Sequence, residues 1–288
     1  MKDFVLRKLG KAVDASLPFE SRQNSQPVQR NLFFQYQEIV SRGCALPCFR
    51  DTGFRVYSQT DEDGLLLYLF ALIGFTNRVV LDIAAGAPVG GNTTNLITNW
   101  GCHALLIEGN AKQVAESGIF YQRHPDTRLA PPRIRQAWVT AENINQLITG
   151  EGFFGEIDLL SLDVDGVDYW LWESLDAVSP RVVMVEYQDL FYHDEAVTVP
   201  YRPDFDRFSV HPDYFGASLA AFVKLARRKG YRLVGCNRYG FNAFFVRNDL
   251  AGSLLPEVSV ESCLTHPKVL AARDAKRAEL LELPWEVV

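Results

Sequence analysis

The chain has 288 residues, 48% of them apolar and 22% charged, which is enough to bury a full core. Its 29 basic against 35 acidic residues leave a net charge of −6, so no broad cationic surface favours a nucleic-acid or anionic-membrane partner. No apolar run reaches the length of a bilayer span, and the opening MKDFVLRKLGKAV lacks the apolar core and small-residue cleavage site of a secretory signal, so a cytoplasmic protein is expected.

Residues 1–60 mix polar stretches such as SRQNSQPVQ with one helix candidate, RNLFFQYQEIVSRG, and read as an N-terminal extension or cap. Cys44 and Cys48 find no second thiol or histidine pair to complete a zinc pattern, and Cys102, Cys236 and Cys263 are scattered, so reduced thiols are expected. The greasiest segment, LLLYLFALIGF, predicts a buried helix leading into the first strand.

Residues 61–250 alternate short β-rich apolar runs with helix-compatible ones, the pattern of a parallel sheet covered on both faces. Strands are predicted over 78–83, 104–108, 134–139, 157–162, 182–187, 232–235 and 243–247. Only the turn-rich CNRYGFN separates the last two, which predicts an antiparallel hairpin at one edge. Before them, FGASLAAFVKLARRKG places Leu219, Phe222, Val223 and Ala226 on one helical stripe, stopped by Gly230 behind a basic last turn. The tail, 251–288, carries a surface helix ending at Pro284, with Trp285 as its anchor and the helix packed on the domain.

The stretch VVLDIAAGAPVGGNTTNLI reads as a strand, a glycine turn and a helix. Asp82 closes the strand, and Gly86, Gly90 and Gly91 let backbone approach a ligand where a Cβ could not. In open α/β sheets such ligands sit at the carboxyl ends of the strands. Ala84 and Ala85 break the spacing a pyrophosphate loop needs, which favours a ligand without phosphate. Glu108 ends the next strand, where a carboxylate can take both ribose hydroxyls. Together with VTAEN and SLDVDG at later strand ends, this makes an adenosine-type ligand the leading idea, with Glu142 or Asn143 placed to meet the adenine amino group. The plain alternatives are a turn made by glycines, Glu108 as a cap and Glu142 or Asn143 as a helix N-cap.

On the residues RVYSQTDEDG, LDIAAGAPVGGNTTNLI, LLSLDVDGVDYWLWESL, VVMVEYQDLF, EAVTVPYRPDF and YFGASLAAFVKLARRKGYRLVGCNRYGFNAFFVR, the chain resembles the class I S-adenosylmethionine-dependent methyltransferases. More narrowly, it is similar to the FkbM group of small-molecule O-methyltransferases. DVDGVDYW looks like that group's D-x-E-G-x-E segment, with Asp165 for the glutamate and Asp168 for the second acid. The resemblance implies a Rossmann-like, doubly wound α/β fold with strand order 3-2-1-4-5-7-6 and the last strand antiparallel. It implies S-adenosylmethionine held by Gln59, Asp82, Gly86, Asn92, Thr93, Glu108, Gly109, Glu142 and Asp163. Ala84 departs from it, standing where the family has its first glycine in a loop that looks lengthened as far as Asn92. Glu62 is a second candidate for the methionine end, against a role in starting its helix.

Methyl transfer is an in-line displacement, so the protein has to align the reactants and take a proton from the acceptor hydroxyl. Two arrangements fit. His193 is a general base oriented by Asp194 or Glu195, or Asp163, Asp165 and Glu186, with Asp189 nearby, hold Mg²⁺, which acidifies the hydroxyl. His193, Asp163 and Asp165 are therefore the catalytic candidates, the first from one arrangement and the two acids from the other. His103 is expected to pack on the sheet, His124 to sit in a polar loop without a partner, and His211 to lie in a turn, with lining of the acceptor pocket as its other role. Tyr169 and Trp172 share one helical face, with Trp170 pointing elsewhere. Phe191, Tyr192, Tyr201 and Phe205 occupy a long connection after the fifth strand, where an acceptor with an apolar face would be selected. The partner expected is a small molecule such as a natural product or saccharide, with a homodimer left open. An amine acceptor, a nicotinamide-dependent oxidoreductase and a non-catalytic relative are the competing readings.

Overall fold

The computed structural model describes residues 25–288, and the opening MKDFVLRKLGKAV lies outside them. Helix α1, Ser25–Ser41, buries Gln29, Phe33 and Tyr36 along one face. It includes part of the polar stretch before the expected helix because Gln29 is itself buried. Its amide donates to Asn95 at 3.1 Å and accepts from the Trp100 indole at 3.0 Å. Helix α2, Glu62–Ile73, is apolar nearly all round and accordingly buried from Leu65 to Ala71. Gly74 ends it with φ 69° and its N–H on Phe70 O, as the GF punctuation suggests.

Seven strands form one sheet: β1 Val79–Ile83, β2 His103–Glu108, β3 Arg133–Gln136, β4 Gly155–Leu162, β5 Val178–Glu186, β6 Tyr231–Cys236 and β7 Asn242–Arg247. Their order is β3-β2-β1-β4-β5-β7-β6, parallel except for β7, which runs antiparallel to both neighbours. This is the expected topology. Two strand bounds differ by more than two residues. β3 stops at Gln136 rather than Val139, because Asn143 accepts from Thr140 N and donates to Trp138 O, turning the chain out of the sheet. β5 begins at Val178 because Val178, Ser179 and Pro180 already pair with the start of β4.

Alternate residues of the central strands enter opposite layers. Val80, Ala104, Leu106, Leu159 and Met184 pack with α1, α2 and helix α3, Thr94–Trp100; Tyr121 of helix α4, Ala111–Arg123, joins the same cluster. Leu81, Leu105, Leu160 and Val183 pack on the other face with helices α5 Ile144–Gly150, α6 Asp168–Ser174 and α7 Leu219–Lys229. Tyr169 and Trp172 share the buried face of α6 as expected, while the Trp170 indole turns away to Val199 O at 2.8 Å. The α7 stripe is buried, and Gly230 caps it in the left-handed region.

At the amino ends of the strands, Asp158 accepts from the N–H groups of Thr76, Asn77 and Arg78 and pairs with Arg181 at 2.8 Å. Arg181 also binds Ile73 O and Gly74 O, so this end is tied shut. Beyond the sheet, helix α8 spans Val260–Cys263 and helix α9 spans Pro267–Leu280. Trp285 does anchor the tail, lying edge-on to Phe191 and Tyr214. Among the described residues no helix is long and apolar enough to cross a membrane.

Candidate functional site

The parallel register puts Asp82 level with Leu106 of β2 and Ser161 of β4, at the carboxyl edge of the sheet. It is 2% exposed, and its carboxylate accepts from Thr93 Oγ1 at 2.7 Å. Thr93 stands at the N-cap of α3 but spends its hydroxyl on Asp82 rather than on the helix. Burial pushes the Asp82 carboxyl up to about 6, opposed by hydrogen bonds from Thr93 and Ser161. Ala84 follows at φ 60°, the left-handed conformation for which glycine is the usual choice, and its N–H bonds Ile107 O at 2.8 Å. The left-handed backbone at this position is thus adopted without a glycine.

The lengthened loop folds back on the segment before α2. Gly90, at φ 103°, donates to Tyr57 O at 2.7 Å, and exposed Gln59 lies over it. At Gly91 a Cβ would stand 2.8 Å from Thr94 Oγ1, so the close approach there is structural. Asn92 reaches Ser161 Oγ at 3.5 Å. Glu62 and Asp63 tie the first turn of α2 to its surroundings: Glu62 binds Thr60, Asn237 and Asn242, and Asp63 gathers the N–H groups of Val56, Tyr57 and Ser58.

Glu108 ends β2 with Gly86 N on one carboxylate oxygen at 2.9 Å and Asn110 N on the other at 2.7 Å. Each oxygen keeps a second lone-pair direction. At exposed Gly109 a Cβ would lie 3.4 Å from the Trp138 ring, so the indole covers this corner. Sequence reasoning missed Trp138; an aromatic directly after the third strand was the signal available. Glu142 is exposed and accepts from Tyr201 Oη at 2.6 Å, a bond that draws its carboxyl below the usual range. Asn143 spends its side chain on the turn already described. Gln59, Asp82, Gly86, Asn92, Thr93, Glu108 and Gly109 therefore gather at the ends of β1 and β2, while Glu142 sits on a rim and is held by Tyr201.

Beside them, Asp163 and Asp165 follow β4 and Glu186 ends β5. One oxygen from each of the three lies within 4.8 Å of the others. Glu186 Oε2 is buried without a partner. Burial chiefly, then Asp168 and Asp165, push Asp163 up to about 7. Burial and then the neighbouring Asp163 push Glu186 up as well. The two carboxyls therefore titrate as a pair. Asp168 is structural, its oxygens accepting from Val164 N at 2.7 Å and Gly166 N at 3.0 Å. Asp165, at φ 57°, projects to Arg207 at 2.5 Å. Three hard oxygen ligands and an unmet buried lone pair fit a divalent cation such as Mg²⁺.

His193 is exposed in the loop after β5, and among the described residues no hydrogen bond or ion pair joins it to this cluster. Glu195, one of its expected orienting partners, binds Tyr192 N and Arg277 instead. Asp189 faces Lys268, Arg273 and Lys276, although burial still raises it to about 6. His103 stacks on Phe153 at 5.2 Å. His124, expected in a polar loop, is fully buried, with Tyr57 Oη at 3.3 Å and the Phe120 ring at 5.5 Å, because the C-terminus of α4 packs against Tyr57. His211 and His266 each accept a backbone N–H two residues on, so His211 does lie in a turn. Of the aromatics expected to meet an acceptor, Phe191 and Phe205 are core residues and Tyr192 lies under Arg273 and Arg277; Tyr201 alone reaches the rim. A cavity of about 280 Å³ lined by Trp172, Val178, Lys229 and Tyr231 opens at the opposite, amino-terminal end of β5.

No protein-family model matches the chain, and no curated protein matches it. Solved structures do. The N-terminal domain of EvdMO1 with SAH bound is 14% identical over 75% of this chain and 94% of that one, with a TM-score of 0.43. Monomeric WbdD is 19% identical over 59% of this chain, with a TM-score of 0.35, and this chain spans only 36% of its length. Geranyl diphosphate C-methyltransferase from Streptomyces coelicolor A3(2), in complex with Mg²⁺, geranyl diphosphate and S-adenosyl-L-homocysteine, is 11% identical over 60% of this chain and 62% of that one, with a TM-score of 0.38.

Proposed function

We propose that the chain is an S-adenosylmethionine-dependent methyltransferase acting on a hydroxyl of a small molecule. The observation that carries this reading is the meeting of Asp82, the left-handed turn at Ala84 and Gly86, Glu108 and the Asp163–Glu186 pair along one sheet edge. Bound there, S-adenosylmethionine would supply an electrophilic methyl on a cationic sulfur.

Glu108 would take the ribose hydroxyls on its remaining lone pairs, with Trp138 walling the same corner. Asp82, buried and raised, would hold the turn against the charged end of the cofactor through Thr93. The Asp163–Glu186 pair would receive the acceptor's proton, since a base that titrates near neutrality suits that task better than an ordinary carboxylate. A divalent cation held by Asp163, Asp165 and Glu186 would supply the alternative, an acidified acceptor hydroxyl. Likeness of DVDGVDYW to the FkbM group favours a hydroxyl. The density of acids favours an amine, which would enter as an ammonium, and an acceptor screen of paired alcohols and amines separates the two.

Calorimetric titration with S-adenosylhomocysteine tests the reading. Saturable binding in the wild type that weakens at least tenfold in Glu108→Ala is expected; no binding in the wild type would sink it.

A further inference from the structure

Residues 199–216 form a strap that touches both sides of the site. Near its start, Val199 O accepts from Trp170 Nε1 at 2.8 Å, and Tyr201 Oη contacts both Glu142 and Ala141 N after β3. Pro203 O accepts from Trp138 Nε1 at 2.7 Å. Farther on, Phe205 packs on Gly166, Arg207 pairs with Asp165, and Gly216 N returns to Gly166 O at 2.8 Å. In the sheet β3 and β4 are separated by β2 and β1. A segment bound to the residues after β3 and to those after β4 therefore passes alongside the ends that carry Glu108 and Asp82.

The strap is not held evenly. Phe205 and Tyr214 are buried, but between them Phe208 is 72% and Val210 48% exposed. This tip has little apolar contact to keep it down, the mark of a segment that opens locally. What ties it to the body is one ion pair and one histidine–carboxylate contact. Arg207 meets Asp165 at 2.5 Å, and His211 meets Glu279 at 3.5 Å. The Arg207 guanidinium is aimed by two rings, Phe208 and Phe215, each 4.8 Å away. Asp165 occupies its left-handed turn at the cost of backbone strain, and that conformation presents its carboxylate to Arg207.

We propose that the Arg207–Asp165 ion pair is a latch that holds the strap across the ends of β2 and β1 and sets how fast the bound cofactor product leaves. The second half rests on the methyl-transfer reading, whereas the first concerns the free protein. Arg207 acts here as a positioning residue, through the strap rather than on reacting atoms.

Limited chymotrypsin digestion of the full chain, read by mass spectrometry at the bond after Phe208, tests the latch without any ligand. Arg207→Ala and Asp165→Asn are each expected to speed cleavage about fivefold, with the double variant no faster than the faster single. Arg207→Lys should restore part of the protection, and added salt should speed cleavage in the wild type only. Wild-type cleavage rates in both singles, or single effects that multiply in the double, would overturn the latch. Unchanged melting midpoints check that every variant is folded. Stopped-flow fluorescence with S-adenosylhomocysteine then reads the second half: severalfold faster dissociation from Arg207→Ala is expected, and an unchanged rate would refute control of release. If the wild type fails to bind that molecule at all, the cofactor reading and the release claim fall together, and the digestion still decides the latch.

Discussion

Glu108 holds the N–H of Gly86 at 2.9 Å, so the acid that ends the second strand also fastens the turn that follows the first. On the methyl-transfer reading, ligand binding and loop order are therefore joined at one side chain. Glu108→Ala should weaken S-adenosylhomocysteine binding at least tenfold and also lower stability by about 1–3 kcal/mol, because two N–H groups lose their acceptor. Glu108→Gln keeps an acceptor for one of them and should recover part of the stability but little of the affinity. Calorimetry and urea unfolding on the same samples separate the two effects.

Ala84 offers a test with the opposite sign. Its left-handed conformation costs an alanine about 1 kcal/mol that a glycine would not spend. Ala84→Gly should therefore be neutral to stabilising by up to about 1 kcal/mol, after the added chain entropy of the unfolded state is subtracted. A drop in the urea midpoint would mean that the methyl group packs usefully against its neighbours.

The raised carboxyls make both activity and stability depend on pH. A proton acceptor at Asp163 works only when deprotonated, so methyl transfer should rise with pH through about 7 and level off above it. Asp163→Asn should remove most of that limb along with most of the rate. The stability effect runs the other way. A carboxyl whose folded pKa lies above its unfolded value stabilises fully below about pH 4 and loses that contribution as pH rises toward the folded value. For Asp163 that window runs from about 4 to about 7. The melting midpoint of Asp163→Asn relative to wild type should therefore increase as pH is taken from 5 to 8. A constant difference would place the group's pKa near its ordinary value.

The acid triplet makes a metal prediction. Mg²⁺ titrated by calorimetry into the ligand-free chain should give one saturable site, and Glu186→Gln should abolish it, because that residue contributes the buried unpartnered oxygen. Heat of dilution alone in the wild type would leave the Asp163–Glu186 pair as the proton acceptor without help.

At the other end of the sheet, Asp158→Ala should cost about 3–5 kcal/mol, since it strands the Arg181 guanidinium and three N–H groups in the interior. Chemical unfolding measures this directly, and a cost under about 1 kcal/mol would show that water reaches the clamp.

The strands, their order and the α7 stripe were legible because buried parallel strands and an amphipathic helix announce themselves in apolar spacing. Asp82, Glu108, Asp163 and Glu186 were legible because each is an acid at the end of such a run. Trp138 and Arg207 were not, since each acts through a partner more than forty or sixty positions away, Asp165 for Arg207 and Pro203 for Trp138, and local pattern carries no trace of such pairings. The end of β3 was misread for a related reason: Asn143 turns the chain by its side chain, while Ala137–Trp138–Val139 still looks like a strand. His193 shows the converse, a residue of suggestive type in a loop held by the Arg273 and Arg277 side chains of α9, with no hydrogen bond or ion pair among the described residues joining it to the acids.

The two ends of β4 treat their acids in opposite ways. Asp158 has a guanidinium and three amides to itself, while Asp163 has another carboxyl for company. An uncompensated field of that kind rewards an occupant for being positive. On the methyl-transfer reading, the reagent arrives charged and departs neutral, so the pocket would grip the full cofactor more firmly than the spent one and turnover would carry its own means of clearing the site.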